Sequence, residues 1–571
     1  LRVIRIAVRH FRGIQELDWN TRGQSICCLI GPGDSSKTTV LDAIEATLSP
    51  RWITFTEADF HHADTAQEVS VEVTVGELPK VMLSDERFGL YLRGVAADGT
   101  LHDEPADDDQ PALTVKLVVD ATMEPIWTLV CDRAQSPRIL SNRDRALFGL
   151  VRLAGEESRH LTWAQGSVLA RMTGADDGAA QRLAGAYRAA RQSASLGAIP
   201  ALSEVAGVAE REARALGAYV TAGYAPDLEL GRGGFNAGAI ALHDGAVPLR
   251  LAGLGTRRLA TLAVQRTAVA EGAIVLVDEL EQGLEPHRIL AAMSQLRRGQ
   301  EQAAAQGLPQ GQVMMTTHSD VALSELNPAS LFVVRRWAAG VTDIRHATGA
   351  GDLARILKHS PRALFGRKIL VCEGKTELGL MLGLRELFVA RHHGIPIEHR
   401  GAAIIDGGGA AAPPLACALA ALGFPTALYR DSDQPVGGHW GAELQRFNVS
   451  VIQYGHGLNT ETATFSAAPD DIVTNLLNWI RGHFNAHTII AQLRQTLGAI
   501  DVAQTFEQWP DVNVHGANYR RAIAGVALQN NWFKDLARAR TLAPLLDTLA
   551  DRAPLSPLAI TLRNIEAWLY D

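Results

Sequence analysis

Residues 1–19 alternate apolar and polar positions around Phe11-Arg12-Gly13, the pattern of a hairpin with one buried face. Residues 25–30 form a continuous apolar run that predicts a buried strand leading into a glycine-rich turn. The strand pattern returns at 69–75 and 112–119, with an acidic loop at 103–110 between them, so this part of the chain is expected to be β-rich. From 152 to 222 the sequence is rich in Ala and Arg, and 181–195 and 202–216 favour helix. Strands are expected again at 273–277, 312–316 and 331–335, with a helix over 286–302. A second α/β pattern starts near Arg367, with strands at 368–372, 402–405, 426–430 and 449–454, and the tail from about 470 is mostly helical. No fixed-period repeat is present.

Length and composition narrow this picture. The chain has 571 residues, which at roughly 150 residues per domain means about four domain-sized units. Hydrophobic residues at 47% and charged residues at 20% favour folded cores over disorder. The net charge of −8 means that any contact with nucleic acid must come from local basic surface. The five cysteines, Cys27, Cys28, Cys131, Cys372 and Cys417, lie in apolar runs without a CxxC pair. That argues against a zinc ribbon or a disulfide framework and leads us to expect a reducing cytoplasm. The uncharged stretch 407–429 is long enough to span a bilayer, but Pro413, Pro414, Pro425 and Gly407-Gly408-Gly409 predict loop, helix and strand instead. Arg2, Arg5, Arg9 and Arg12 interrupt the amino-terminal apolar positions, so no export signal is expected.

The glycine-rich turn is Gly31-Pro32-Gly33-Asp34-Ser35-Ser36-Lys37-Thr38, between a strand and the helical pattern 39–48. A P-loop needs this context, because successive backbone N–H groups and a helix N-terminus face the phosphates, with Lys37 on the β/γ-phosphates and Thr38 on Mg²⁺. Ser36 stands where the motif has its second glycine, which predicts ATP binding over fast hydrolysis. Downstream, the apolar strand 273–277 ends in Asp278 and Glu279, suited to holding Mg²⁺ and polarising a water. Gln282-Gly283-Leu284-Glu285-Pro286 resembles a D-loop, and the strand 312–316 leads to His318, placed as a γ-phosphate sensor. Gly253, Gly255 and the helix after them resemble a signature motif that contacts ATP held by a second copy. Taken in order, residues 1–360 resemble the ABC-like ATPases of the SMC and RecF type, which implies a homodimer.

In the second α/β pattern three strands end in acids: Glu373 with Glu377 close behind, Asp406, and Asp431-Ser432-Asp433. Strand ends of one parallel sheet share an edge, so these carboxylates can converge, and hard divalent cations relieve their repulsion. Two such ions would activate water and hold the leaving oxygen of a phosphodiester. The order of acids resembles the Toprim domain of topoisomerases, primases and certain nucleases. Glu461 offers a further acid and Lys534 a cation, although either also reads as a surface residue.

An ABC-like ATPase interrupted by a helical segment and followed by a Toprim domain resembles the OLD (overcoming lysogenization defect) family of ATP-dependent endonucleases, which includes the nuclease subunit of Gabija antiphage systems. The resemblance implies an α/β multidomain chain: an ABC-type P-loop ATPase at 1–151 and 223–360 around a helical dimerisation insertion at 152–222, a Rossmann-like Toprim domain at 361–470 and a helical C-terminal region at 471–571. It implies metal-dependent DNA cleavage in DNA repair or antiphage defence, with Glu373, Glu377, Asp406, Asp431, Asp433 and Glu461 around two Mg²⁺ or Mn²⁺ ions. Glu373, Asp431, Asp433 and Lys534 would be catalytic, and DNA, a second copy and a helicase would be partners. The alternative is an SMC- or RecF-like protein that binds DNA with ATP and leaves it intact. A topoisomerase would need a nucleophilic tyrosine, and none of the eight tyrosines sits in a recognisable cleavage context. A primase would usually bring zinc-binding cysteines, which are absent.

Overall fold

The computed structural model describes residues 1–153, 161–163, 167, 169–170, 196–228, 240–270, 272–306, 311–337, 340–346, 350–455, 457–497 and 516–571. The helix expected at 181–195 and much of the segment 152–222 lie outside these residues; the other expected helix there is Pro200–Ala215. The described chain forms two compact units, Leu1–Thr348 and Gly349–Asp571.

The first unit holds two large sheets. In the antiparallel one, the hairpin of Arg2–Phe11 and Ile14–Asn20 is extended by Val69–Gly76 and then Gln110–Val119. The other runs in the order Leu150–Leu153, Ile274–Val277, Gln312–Thr316, Ile26–Ile30, Leu331–Arg336 and Thr342–His346. All its strands are parallel except the last, which returns antiparallel. Ile26–Ile30 lies between two parallel neighbours and is buried at every position, hence its unbroken apolar sequence. Side chains from both sheets and from the helix Lys37–Leu48 share one core, including Ile6, Val71, Leu117, Leu29, Leu41 and Met314. Because the strands are parallel and in register, Gly31, Asp278 and Thr317 all leave the sheet at the same edge. The strand Leu150–Leu153, which the apolar pattern did not single out, pairs in parallel with Ile274–Val277 and brings Arg152 toward that edge.

The second unit is built on a four-stranded parallel sheet in the order Ala402–Asp406, Lys368–Cys372, Thr426–Arg430, Ser450–Gln453. The helix Ala350–His359, assigned from sequence to the ATPase part, belongs to this unit. The stretch 407–429 is a helical turn, the helix Ala412–Ala421 and a strand, as its prolines and glycines predict. Helices Asp470–His483, Gly516–Gln529, Leu536–Arg552 and Pro557–Tyr570 share one apolar core with the sheet, in which Leu370, Leu384, Trp532, Phe533 and Leu546 are buried. Helices Lys375–Arg391 and Leu536–Arg552 pack closely: a Cβ on Gly379 would lie 2.6 Å from Leu536 O, and one on Gly383 would lie 2.3 Å from Arg540 O. All five cysteines are buried and unbridged. Among the described residues no helix is long and apolar enough to cross a membrane.

Candidate functional site

At the edge of the ATPase sheet the loop after Ile26–Ile30 folds back on itself, with Asp34 at φ 59 and Ser36 at φ 72, before the helix Lys37–Leu48 begins. Gly31 and Lys37 are buried and Gly33 is exposed at the loop. The Lys37 ammonium donates to the carbonyls of Gly31 at 3.0 Å and Pro32 at 2.8 Å. Burial pushes its pKa down, while Asp278 and Asp34 favour the charged form. The Thr38 hydroxyl donates to Asp278 Oδ1 at 3.2 Å, and Thr316 donates to the same oxygen at 2.6 Å. Lys37, Thr38 and Asp278 are thus brought together at one edge of the sheet.

Glu279, the next residue, is exposed and held at φ 46. His318 is exposed at the end of its strand, and its backbone N–H donates to Glu281 Oε1 at 2.6 Å, while Thr317 Oγ1 donates to Glu281 Oε2 at 2.6 Å. Gly255 lies in the first turn of the helix Leu254–Ala270, where a Cβ would stand 2.8 Å from Gly283 O, so the signature-like and D-loop-like segments of one chain touch.

Three further residues complete this edge: Arg258, which lies in the signature-like segment, and Arg152 and Glu281, which stand at no motif position. Arg152 donates to Asp42 Oδ1 at 2.8 Å and to Asp278 Oδ2 at 3.1 Å. The buried Arg258 donates to the carbonyls of Asp278 and Glu279. Glu281 fastens the His318 turn. An arginine or glutamate at no motif position carries no signal until the fold places it.

The second constellation lies in the other unit. Glu373 follows Lys368–Cys372, and its Oε2 accepts the Asp431 N–H at 3.0 Å, which joins two neighbouring strand ends. Glu377 lies in the first turn of the helix Lys375–Arg391 and accepts the Gly374 N–H at 2.9 Å. Asp431 Oδ1 accepts both the N–H and the hydroxyl of Thr460, at 3.1 and 3.0 Å. Asp433 is exposed, with Asn459 Nδ2 at 3.4 Å from its Oδ2. Glu461 is 2% exposed, and its Oε1 is buried without a hydrogen-bond partner.

These groups feel one another. Burial, then the neighbouring Glu373 and Glu461, raises Glu377 above the usual carboxylate range. Burial, then Glu377, Asp433 and Glu373, does the same to Asp431. Glu461 is pushed up to about 7 by burial and by Asp431, with Lys534 opposing. Lys534 is exposed, in the short turn between the buried Phe533 and the helix Leu536–Arg552, and its charge reaches Glu461. Glu373, Glu377, Asp431, Asp433, Glu461 and Lys534 therefore form one cluster.

Asp406 ends the adjacent strand but is engaged differently. Its Oδ1 accepts the Gly408 N–H at 2.8 Å and lies 3.8 Å from Arg355 Nη2, and Arg355 also donates to Gly407 O at 2.9 Å. A Cβ on Gly408, which sits at φ 75, would stand 1.8 Å from that guanidinium and displace it. Among the described residues no group of three or more acids, histidines or cysteines is placed, as the side chains stand, to hold a metal ion. The acids nevertheless suit hard divalent cations: they are all-oxygen donors, burial disfavours their charges, and one buried carboxylate oxygen lacks a donor.

Two protein-family models match the chain. Residues 225–324 match "AAA domain, putative AbiEii toxin, Type IV TA system", and residues 364–433 match "Overcoming lysogenization defect protein-like, TOPRIM domain". An ATPase domain is thus followed by an OLD-like Toprim domain, the arrangement of an OLD family ATPase–Toprim nuclease. No curated protein matches the sequence. Among solved structures, an Smc head bound to the C-winged helix domain of ScpA is 12% identical with a TM-score of 0.38, covering 60% of this chain and 97% of its own. An Smc head domain with an extended coiled coil, bound to the C-terminal domain of ScpA derived from Pyrococcus furiosus, is 10% identical with a TM-score of 0.38, covering 60% of this chain and 96% of its own.

Proposed function

We propose that this chain, which has the ATPase-then-Toprim organisation of the OLD family nucleases, is a homodimeric, Mg²⁺- or Mn²⁺-dependent DNA endonuclease or nickase regulated by ATP. The observation that carries this reading is the convergence of the buried Glu377 and Glu461 with the half-buried Asp431, all raised in pKa, at the carboxyl edge of a parallel sheet. Glu373, Glu377, Asp431, Asp433 and Glu461 would hold two divalent cations, with Asp406 at the border where Arg355 faces it. When bound, such ions activate water and stabilise the leaving oxygen of a phosphodiester. Lys534 adds a positive charge toward the phosphate, and the carboxylates orient the site.

In the first unit Lys37 and the P-loop amides would hold the ATP phosphates, and Thr38 and Asp278 the Mg²⁺. Glu279 and His318 would face the γ-phosphate, and Gly255 would serve the nucleotide of a second copy. The five buried, unbridged cysteines suit a reducing cytoplasm, and DNA repair or antiphage defence with a helicase partner suits an ATP-regulated nuclease.

The test is a supercoiled-plasmid assay with EDTA, Mg²⁺ or Mn²⁺, each with and without ATP. Nicked or linear product in metal alone or metal plus ATP, and none in EDTA, is expected. Plasmid that is bound in the presence of ATP yet stays supercoiled in every metal would favour an SMC-like DNA-binding protein instead.

A further inference from the structure

Three buried hydroxyl groups lie behind Asp431, and that of Thr460 touches it. Tyr429 is 0% exposed, Tyr454 1% and Thr460 0%. The two tyrosine oxygens are 2.5 Å apart, Thr460 Oγ1 is 3.3 Å from Tyr454 Oη, and Thr460 Oγ1 is 3.0 Å from Asp431 Oδ1. Each hydroxyl has one proton to donate, and a buried one needs an acceptor. The Thr460 hydroxyl faces two acceptors, Tyr454 Oη and the nearer Asp431 Oδ1, and its one proton is best placed on the nearer carboxylate oxygen.

The helix that carries Thr460 reinforces this. Asn459 caps the helix Thr460–Ala467 by accepting the Thr462 N–H at 2.9 Å. A first-turn N–H has no partner within its helix, and that of Thr460 goes to Asp431 Oδ1 at 3.1 Å. Oδ1 thus takes two donors, whereas no described donor reaches Oδ2.

We propose that Thr460 is a positioning residue that, through its N–H and hydroxyl, commits Asp431 Oδ1 to the protein and leaves Oδ2 to face the cation. This rests on reading the carboxylate cluster as a metal site. Donors behind a ligand fix its orientation, and their loss typically weakens metal binding about 10- to 100-fold.

The test is calorimetric titration of the full chain with Mn²⁺ alone, together with metal-free melting. Thr460→Val keeps the shape and the N–H but removes the hydroxyl; it should weaken Mn²⁺ binding about 10- to 100-fold. Thr460→Ser should bind within a few-fold of wild type, which a purely structural role for the threonine methyl would not produce. Thr460→Ala, which also lacks the hydroxyl, should shift binding in the same direction, and it carries the test if Thr460→Val fails to fold. Wild-type affinity in both Thr460→Val and Thr460→Ala would overturn the inference while leaving the metal site standing. A wild-type chain that binds no Mn²⁺ would overturn the metal-site reading and this inference with it.

Discussion

Ser36 holds a left-handed backbone conformation, φ 72, at the P-loop position where the motif has glycine. A Cβ there costs about 1–2 kcal/mol, partly offset because glycine loses more freedom on folding. Ser36→Gly should therefore stabilise the first unit by no more than about 1 kcal/mol in denaturant titration. It should also raise ATP turnover, since the backbone can approach the phosphates more closely. A clear loss of stability together with slower turnover would mean that the Ser36 side chain supports the loop. Charge strain in the second unit has its own signature. Glu377, Asp431 and Glu461 have folded-state pKa values above those of an unfolded chain, Glu461 at about 7. Below the ordinary carboxylate range both states are protonated and these groups cost nothing. As pH rises through about 7 the folded state must ionise them in a buried place, and stability is lost. The melting temperature in EDTA should thus fall between pH 5.5 and 8.5 more steeply than in Mg²⁺, and Glu461→Gln should flatten the EDTA curve. Parallel curves with and without Mg²⁺ would contradict a shared cation site.

Between elements, the most constrained contact is that of Lys375–Arg391 against Leu536–Arg552, where Gly379 and Gly383 let one helix meet the other's backbone. The first helix carries Glu377 and the second follows Lys534, so a change in their spacing is expected to move these two groups relative to each other. Gly383→Ala would place a methyl 2.3 Å from Arg540 O, and overpacking of this kind costs about 1–3 kcal/mol. We expect a lower melting temperature and weaker Mn²⁺ binding by that variant with ATP binding unchanged; unaltered metal binding would mean that the helix spacing does not set the site.

This scale also shows what a single sequence makes legible. Strand ends bearing Asp278, His318, Glu373 and Asp431 stood out because a buried parallel strand is an unbroken apolar run and its exit is a sharp change to polar residues. Arg152, Arg258, Glu281, Arg355 and Thr460 did not, because their partners are brought to them by strand order and helix packing. The strand Leu150–Leu153 escaped notice because Arg152 interrupts its short apolar run. The segment 350–359 was read with the preceding ATPase because nothing in its composition marks the break, whereas Arg355 ties it to Asp406 and Gly407.

At the scale of the whole molecule, the proposed nucleotide site around Lys37 and Asp278 belongs to Leu1–Thr348 and the acidic cluster to Gly349–Asp571. Losing one acid should therefore abolish cutting without touching ATP binding, because the two chemistries use separate side chains. The central claim is that the acidic cluster is a metal-dependent DNA-cleaving centre, and Asp431, which touches Glu373 through its N–H and Thr460 through its carboxylate, lies in the middle of it. Its most direct test is a nicking time course on supercoiled plasmid in Mn²⁺, comparing wild type with Asp431→Ala at equal, verified folding and equal ATP-analogue binding. The account predicts that wild type converts the plasmid to nicked or linear product while Asp431→Ala leaves it supercoiled; cutting by Asp431→Ala at the wild-type rate would contradict it.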